Sequence, residues 1–443
     1  MEIVNSARLS FGKQNPERLS PANLQYHCKS AVDKPGIACY YSFMKQKYIK
    51  RHIESVVKSY SAQFPVVVLT GPRQSGKTTM LKHMYSGKCS YASFDDLTTR
   101  KMAEDDPVFF VKNLKKPAII DEIQYVPEIL PQVKIEADEA PDKKGVFFLT
   151  GSQQFSLMKG VSESLAGRAG TISMLQFSSV EAAKLYRDNP VDEFMFFCRR
   201  GAYPRPALDK SVVPPDWYES YVNLYVEKYV RSLYNIGSVS DFRTFVKILA
   251  SRAGQILNLS GIAAPLGVSV NTIKSWISVL EAGGIIILLR PWHANTGKRL
   301  LKSPKVYFTD TGLLCHLNGL DSGERVRKSP MFGQIFENHC VMEVMKDRIN
   351  RGTRPSMYYY RDGNGLEVDL LLETREGPVL AEFKASAGIK PDMASGLRKL
   401  KGILVKNPPA EMYLVSFNGQ KMRFTEGVTA APLKLMLRAL PPK

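Results

Sequence analysis

Residues 71–78 read G-x-x-x-x-G-K-T, a spacing that wraps a backbone loop around phosphate oxygens. Glycines let such a loop turn without Cβ clashes, so that N–H groups point inward, and a helix starting there adds its positive end. We expect Lys77 to neutralise the β- and γ-phosphates and Thr78 to ligate Mg²⁺. The predicted nucleotide-binding residues are Gly71, Pro72, Arg73, Gln74, Ser75, Gly76, Lys77, Thr78 and Thr79. The segment therefore predicts a site for ATP and Mg²⁺.

An acidic pair, Asp121 and Glu122, follows the apolar stretch 118–120. A phosphate loop needs an acid on a neighbouring strand, so we expect Asp121 to hold Mg²⁺ through water and Glu122 to polarise the attacking water. The alternative is a pair that only caps a helix. The pair at this distance from the loop favours ATP hydrolysis.

Two further residues are candidates for sensing or stabilising the γ-phosphate. Stretch 146–150 reads as a third strand, and strand ends line the ligand crevice of a parallel sheet, so Ser152 or Gln153 is in reach. Arg168 is a candidate arginine finger, acting in cis or from a neighbouring subunit. The alternatives are an ordinary helix N-cap for Ser152 and a surface salt bridge for Arg168. The predicted catalytic residues are Glu122, Lys77, Arg168 and Ser152.

A second acidic constellation lies near the end of the chain. Glu337 falls on a predicted helix, Asp369 on a strand, and Glu382 and Lys384 on the next strand, where residues two apart share a face. Asp369 and Glu382 are candidate Mg²⁺ ligands, Lys384 would position or deprotonate a water, and Glu337 would complete the metal shell or hold a second ion. The order resembles the PD-(D/E)XK nuclease core, although Val368 stands where that family has proline. The alternative is a relic that binds protein or DNA without cutting.

A helix-turn-helix pattern precedes that constellation. Leu259–Leu266 and Val270–Ala282 read as helices separated by a turn at Gly267. Segments 285–291 and 305–308 then read as a hairpin, which makes a winged unit whose second helix could enter a major groove. The candidate DNA contacts are Asn271, Thr272 and Lys274 on the helix and Lys298, Arg299 and Lys302 in the wing. The alternative is a winged helix that only packs against the ATPase domain.

The elements that must position these residues alternate in the first half of the chain. Short apolar stretches at 65–70, 90–94, 117–120, 146–150 and 171–175 read as strands, with helical segments such as 78–85 and 127–139 between them. Strands that alternate with helices predict a parallel sheet covered on both faces. Residues 1–43 have no clear period, and we expect a poorly ordered extension there, with Met44 as an alternative natural start.

Composition narrows the classes of partner. The 443 residues carry 61 Lys and Arg against 42 Asp and Glu, a net charge of +19, which favours a polyanionic partner such as nucleic acid. The 6 cysteines form no C-x-x-C pair, which argues against a disulfide framework and fits a reducing cytosol. No apolar run is long enough to cross a membrane, and no secretory signal opens the sequence. We therefore expect a cytoplasmic protein without a membrane partner.

Several stretches together resemble a family of archaeal and bacterial AAA+-like ATPases. The matches are GPRQSGKTT at 71–79, AIIDEIQYVPEIL at 118–130, LTGSQQF at 149–155 and SLAGR at 164–168. YVEKYVR at 225–231, LKSPKVYFTDTGLL at 301–314, GQIFEN at 333–338 and EVDLLLE at 367–373 resemble the C-terminal domain of unknown function that such proteins carry. The resemblance implies an ATPase joined to further domains.

The expected fold class is α/β, with a P-loop parallel-sheet ATPase domain, a helical linker, a winged helix-turn-helix and a C-terminal restriction-endonuclease-like α/β domain. We expect the boundaries at 1–43 for the extension, 44–206 for the ATPase, 207–250 for the helical lid or linker, 251–330 for the winged unit and 331–443 for the nuclease-like domain. The expected function couples ATP binding and hydrolysis to DNA binding or processing. The alternatives are a nucleotide-controlled signalling switch that recruits a protein, and an ATP-regulated Mg²⁺-dependent DNA nuclease. ATP and DNA are the expected partners, and a homo-oligomer is left open.

Overall fold

The computed structural model describes residues 48–151, 161, 164–233, 239–293, 302–386, 388–419, 421–424 and 427–441. The chain divides into two compact units, Met1–Tyr48 and Ile49–Lys443, and the helices and strands described lie in the second. The extension expected at 1–43 lies outside the described residues. No helix among the described residues is long and apolar enough to cross a lipid bilayer.

The first half of the second unit is built on a five-stranded sheet with the order β2-β3-β4-β1-β5, in which every neighbouring pair is parallel. Its strands are β1 (Val66–Thr70), β2 (Ser90–Ser93), β3 (Ala118–Asp121), β4 (Phe147–Gly151) and β5 (Ala169–Ser173). Its helices are α1 (Glu54–Ser61), α2 (Lys77–Met84), α3 (Leu97–Asp105), α4 (Pro107–Asn113) and α5 (Leu130–Glu139), with 3-10 turns at Ile123–Tyr125 and Pro127–Ile129. The predicted parallel-sheet ATPase-like domain is confirmed.

This sheet is buried on both faces, as a parallel sheet requires. Successive residues of β1 alternate between two apolar cores: Val66 and Val68 pack into one, and Val67 and Leu69 into the other. The alternation follows from the two-residue period of a strand. Because all five residues of β1 are buried, the strand reads as a continuous apolar run in the sequence.

A helical region with a two-stranded ladder comes next. Its elements are α6 (Pro190–Arg200), α7 (Pro204–Leu208), α8 (Pro214–Leu233), α9 (Val239–Ala250), α10 (Leu259–Leu266), α11 (Val270–Ala282), β6 (Ile286–Leu289), β7 (Lys305–Phe308), α12 (Thr311–Leu317) and α13 (Gly323–Lys328). Asn258 and Ser269 cap α10 and α11, and the side chain of each accepts the backbone N–H of the third residue of its helix. Gly267 ends α10 in the left-handed conformation, and β6 and β7 pair antiparallel. A helix-turn-helix followed by a hairpin results.

The last part of the chain forms a mixed six-stranded sheet with the order β12-β13-β11-β10-β9-β8. Its elements are α14 (Phe332–Asn350), β8 (Met357–Arg361), β9 (Glu367–Leu372), β10 (Val379–Lys384), α15 (Ser395–Ile403), β11 (Glu411–Ser416), β12 (Met422–Arg423), β13 (Val428–Ala431) and α16 (Leu433–Ala439). β10, β11 and β13 run parallel, and β8, β9 and β12 pair antiparallel with their neighbours. The predicted C-terminal α/β domain is therefore present as a sheet domain.

The helix-turn-helix unit and the C-terminal sheet are joined edge to edge. The chain leaving β6 runs beside β8, where Pro291 forms a parallel bridge with Tyr359. Trp292 donates its backbone N–H to the Tyr359 carbonyl at 2.6 Å, and Tyr359 donates to Arg290 at 3.1 Å. One apolar core also runs through both parts, from Phe242 on α9 to Met436 on α16. These two parts of the chain therefore share their packing.

Candidate functional site

The loop between β1 and α2 has the backbone geometry of a phosphate cradle. Gly71 has a φ of 141° and Gly76 a φ of 95°, both in the region that favours glycine. A Cβ on Gly71 would lie 2.0 Å from the carbonyl oxygen of Met174, so only glycine fits against the chain leaving β5. The two glycines of the sequence pattern therefore have structural reasons: Gly71 lies too close to Met174 for a side chain, and Gly76 has a backbone conformation that favours glycine.

Lys77 opens α2 and is buried beneath this loop. Its ammonium donates to the carbonyl of Gly71 at 3.0 Å and to that of Pro72 at 2.7 Å. Burial lowers the pKa of Lys77 to about 8, although the charges of Glu122 and Asp121 act to raise it. A phosphate group would replace the two neutral carbonyls with a better partner.

Asp121, at the end of β3, meets the start of α2. The Thr78 hydroxyl lies 2.9 Å from both carboxylate oxygens of Asp121. Tyr91 on β2 donates its hydroxyl to Asp121 at 3.0 Å, and Thr150 on β4 donates to the same carboxylate. A hydroxyl and a carboxylate are hard oxygen donors of the kind Mg²⁺ takes, so these residues fit the ion.

Sequence reasoning missed Tyr91 and Thr150. It placed the acid on the strand next to β1, whereas β4 separates β1 from β3. Thr150 on β4 therefore pairs with Leu69 on one side and donates to Asp121 on the other. Both residues end or line parallel strands, and the carboxyl ends of parallel strands share one edge. Strand position was the only available signal for them.

Glu122 has a left-handed backbone, with a φ of 57°, as the chain leaves β3 for a 3-10 turn. The Gln124 amide donates to its carboxylate. Gln74 in the phosphate loop has the same φ of 57°, and these two are the non-glycine residues with positive φ among those described. Both strained positions therefore lie at the nucleotide site.

Arg51, a buried arginine that sequence reasoning missed, supports the phosphate loop. Arg51 precedes α1, and its guanidinium donates to the carbonyl of Ser75 at 2.9 Å and to that of Leu175 at 2.8 Å. The same group pairs with buried Glu181 at 3.1 Å. Burial acts to raise the pKa of Glu181, but Arg51 and backbone N–H groups hold it below its usual value. Arg51 thus ties the phosphate loop to the chain leaving β5.

The other candidates for contact with the γ-phosphate are Ser152, Gln153 and Arg168. Ser152 and Gln153 lie outside the described residues. Arg168 lies before β5, partly exposed, with its Nε 2.5 Å from Asp138 on α5. That contact is the surface salt bridge named as the alternative to a finger, and a finger role for Arg168 stays a prediction.

The second helix of the helix-turn-helix unit has one apolar and one polar face. Ile273, Trp276, Ile277 and Leu280 are buried. Asn271, Lys274 and Ser275 are exposed, and Thr272 bonds the Ser269 cap at 2.9 Å. Lys302 is exposed, whereas Lys298 and Arg299 lie outside the described residues. The described polar face is open to a partner.

The helix-turn-helix unit contacts the phosphate loop directly. A Cβ on Gly284, in the turn between α11 and β6, would lie 2.8 Å from the Pro72 side chain. Beside it, Thr309 donates to the Gly284 carbonyl at 2.7 Å and receives the Gln176 amide at 3.2 Å. The turn of this unit therefore packs on the loop predicted to bind phosphate.

The C-terminal constellation lies where β9 and β10 part. Their paired register ends at Leu370 and Ala381, and Asp369 and Glu382 come directly after it. Three steps along β9, from Leu371 to Val368, match two along β8, so β9 carries a bulge at this point. Asp369 uses its carboxylate to accept the backbone N–H of Phe383 at 2.9 Å, and Lys384 pairs with Glu382 at 2.5 Å.

A lysine that sequence reasoning missed enters this constellation from β7. Lys305 lies 3.0 Å from Glu337 and 2.7 Å from Glu367, with its side chain only 3% exposed. Tyr307, two residues later on the same strand, donates its hydroxyl to Glu337 at 2.6 Å. The structure thus brings together Glu337, Asp369, Glu382 and Lys384, and adds Lys305, Tyr307 and Glu367.

Burial and mutual charge set the pKa values in this cluster. Burial, followed by repulsion from Asp369, raises the pKa of Glu337 to about 7 and that of Glu382 above its usual value. Burial acts to lower the pKa of Lys305, but Glu337, Asp369 and Glu367 raise it overall. No group of three or more His, Cys, Asp or Glu residues in the described part of the chain has the geometry of a metal site.

Three family descriptions match successive parts of the chain. Residues 63–183 match an AAA domain, residues 191–324 a Domain of unknown function (DUF8612), and residues 332–436 a Domain of unknown function (DUF4143). The chain is 27% identical over 375 residues to the Uncharacterized protein Rv2008c of Mycobacterium tuberculosis. The aligned region covers 84% of this chain and 81% of that relative. The Uncharacterized protein Mb2031c of Mycobacterium bovis matches with the same values.

Similar solved structures are more distant. A Walker-type ATPase of Pyrococcus abyssi is 14% identical and has a TM-score of 0.42, covering 62% of this chain and 97% of its own. The RuvB Holliday junction branch migration motor of Thermotoga maritima is 18% identical and has a TM-score of 0.26, covering 60% of this chain and 94% of its own.

Proposed function

We propose that this chain, which has an AAA-like P-loop domain over residues 63–183 and matches the DUF4143 description over residues 332–436, binds and hydrolyses ATP and uses the nucleotide state to control DNA binding by its helix-turn-helix unit. The observation that carries the proposal is the contact of the Thr78 hydroxyl with both oxygens of Asp121 at 2.9 Å, beside Lys77. This contact supports the proposed Mg²⁺ site, because its two expected ligands come from separate elements, Thr78 from α2 and Asp121 from β3.

Each residue of the nucleotide site has a role that its position supports. Loop N–H groups and Lys77 bind the phosphates, and Thr78 with Asp121 would hold Mg²⁺, which neutralises the charge that develops on the phosphates. Tyr91 and Thr150 orient the Asp121 carboxylate by hydrogen bonds. Glu122 orients and polarises the attacking water, and the left-handed backbone fixes where its side chain starts. Ser152 and Arg168 remain proposed contacts to the γ-phosphate, Arg168 within the chain or across a homo-oligomer.

The route from nucleotide to DNA rests on the packing of Gly284 against Pro72. A phosphate that reorganises the loop changes the surface on which the turn between α11 and β6 sits. That turn follows α11, whose exposed residues Asn271 and Lys274 are the proposed base and phosphate contacts. The net charge of +19 supports a nucleic acid as partner.

Two alternatives give different results with DNA. A signalling switch would change shape with ATP and recruit a protein without binding DNA. A Mg²⁺-dependent nuclease would cut DNA at the cluster of Asp369, Glu382 and Lys384, but the buried Lys305 in that cluster weighs against it. We propose a cytoplasmic location because the cysteines are few and form no C-x-x-C pair in the sequence.

The test is a gel-shift series on duplex DNA at several salt concentrations, with ATP, with ADP and without nucleotide. Replacing Lys298, Arg299 and Lys302 by Ala should weaken binding and flatten its salt dependence, because fewer counterions are released. The matched control replaces three exposed lysines of the ATPase domain, Lys101, Lys112 and Lys115, by Ala. An equal loss of DNA affinity in both triple variants would show that binding depends only on net charge. If the wild type does not bind DNA, the signalling switch is favoured.

ATP binding is tested separately with a fluorescent nucleotide. Lys77→Ala removes the charge that the phosphates need, so the affinity should fall strongly. A variant with unchanged affinity would place the nucleotide elsewhere.

A further inference from the structure

The cluster between β7 and the C-terminal sheet contains four carboxylates, Glu337, Glu367, Asp369 and Glu382. Three of them come from the constellation that resembles a nuclease site. Glu337 comes from α14, Glu367 and Asp369 from β9, and Glu382 from β10. Lys305 reaches them from β7, a strand of the helix-turn-helix unit that lies outside the C-terminal sheet.

Every carboxylate of the cluster already has a positive or N–H partner within the chain. Lys305 pairs with Glu337 at 3.0 Å and with Glu367 at 2.7 Å. Glu367 also pairs with Arg361 at 3.4 Å, and Lys384 pairs with Glu382 at 2.5 Å. Asp369 accepts the N–H of Phe383 at 2.9 Å. Four acids therefore face three cations, and the cluster is nearly balanced.

The position of Lys305 is that of a bridging cation. Its ammonium is almost fully buried and sits between two carboxylates from different elements, at distances of 2.7 and 3.0 Å. An ion of charge +2 among these acids would be repelled by this ammonium, and repulsion is strong where water is excluded. A Mg²⁺ ion also needs several oxygen ligands arranged octahedrally, and Lys305 occupies the side of the cluster where Glu337 would contribute one.

We infer that Lys305 takes the place of a divalent cation in this cluster. The C-terminal domain then holds no metal there and does not cleave nucleic acid by metal-dependent chemistry. The cluster instead fastens β7 of the helix-turn-helix unit to α14 and β9 of the C-terminal domain. This inference is independent of the proposed nucleotide site, because it uses none of the residues assigned to that site.

The experiment measures Mn²⁺ binding and thermal unfolding of the full chain without nucleotide. The single change Asp369→Asn should leave the number of bound Mn²⁺ ions the same as in the wild type, because the cluster holds no ion. Lys305→Met keeps an unbranched side chain one atom shorter and removes its charge, so the variant should unfold at a lower temperature and gain one bound Mn²⁺. Mn²⁺ should then raise its unfolding temperature, and adding Asp369→Asn should abolish both the ion and the recovery.

Controls separate this cluster from other acidic groups. Asp392→Asn, an exposed acid of the same domain, should change nothing in the Lys305→Met background. Wild-type Mn²⁺ binding that disappears with Asp369→Asn would overturn the inference, as would a folded Lys305→Met protein that gains no ion. If Lys305→Met does not fold, the comparison of the wild type with Asp369→Asn still decides the question. Loss of ATP binding in Lys77→Ala concerns only the proposed function and leaves this result unaffected.

Discussion

Glu122 and Gln74 adopt a backbone conformation that costs residues with side chains about 1–2 kcal/mol each. Both flank the place where a γ-phosphate is proposed to lie. Glu122 starts a 3-10 turn directly after Asp121, so its carboxylate leaves the sheet in a direction set by this backbone. Strain concentrated at two positions of one crevice agrees with a functional site there.

The residue-scale prediction concerns Glu122. Glu122→Gln keeps the shape of the side chain but loses the charge that polarises water, so the protein should bind ATP and turn it over at least about 100-fold more slowly. Steady-state phosphate release and fluorescent-nucleotide binding measure the two steps. Glu128→Gln, an exposed acid in the same loop, is the matched control and should be neutral. Equal turnover by Glu122→Gln and the wild type would remove Glu122 from the mechanism.

At the scale of elements, the phosphate loop is held by groups that come before the first strand and after the last strand of the five-stranded sheet. The buried guanidinium of Arg51, which precedes α1, contacts Ser75 in the loop. It also contacts Leu175 and Glu181, which follow β5. Breaking a buried pair by removing one partner costs about 3–5 kcal/mol, because the remaining charge is left without compensation. This network therefore sets both the stability and the position of the loop.

The element-scale prediction is a double-mutant cycle on Arg51 and Glu181. Arg51→Met should lower the free energy of unfolding by about 3–5 kcal/mol and raise the KM for ATP, because Ser75 loses its support. Combining it with Glu181→Gln should cost less than the sum of the two single changes, since neither charge is then left alone. Lys50→Met, an exposed neighbour, is the control. Strict additivity, measured by chemical denaturation, would show that the two groups act independently.

At the scale of the whole molecule, the nucleotide loop and the helix-turn-helix unit touch through Pro72 and Gly284. The same unit holds the C-terminal sheet through the pairing of Tyr359 with the chain after β6 and through Lys305. A rearrangement of the loop therefore has a continuous path of contacts to the proposed DNA-binding helix. A variant at the contact between Pro72 and Gly284 tests whether this path transmits the change.

The whole-molecule prediction compares two glycines with nearly the same backbone. Gly284 has a φ of 69° and Gly267 a φ of 64°, so alanine should strain both by about 1–2 kcal/mol. A Cβ on Gly284 would press on Pro72 at 2.8 Å, whereas a Cβ on Gly267 would meet nothing within 4 Å. We expect Gly284→Ala alone to weaken ATP binding, measured with a fluorescent nucleotide. Equal ATP affinity in the two variants would show that the contact does not transmit to the site.

The sequence by itself determined the local parts of this protein. A phosphate loop, its strand and its helix are contiguous, and the alternation of apolar residues depends on the period of each element, so 71–79, the five strands and the parallel sheet followed from spacing alone. The placement of Asp121 and Glu122 at a strand end followed in the same way. The C-terminal sheet domain was also predicted from its order of helix and strands.

Only the tertiary structure decided which distant groups share a site. Thr150 reaches Asp121 because β4 lies between β1 and β3, and sheet order cannot be read from the order of the strands along the chain. Arg51 and Glu181 are separated by 130 residues, and Lys305 and Glu367 come from different parts of the fold. Lone lysines and arginines carry no sequence signal for burial, since they are ordinarily exposed. Their charges matter here because folding removes water from around them, and that happens only once the elements have packed.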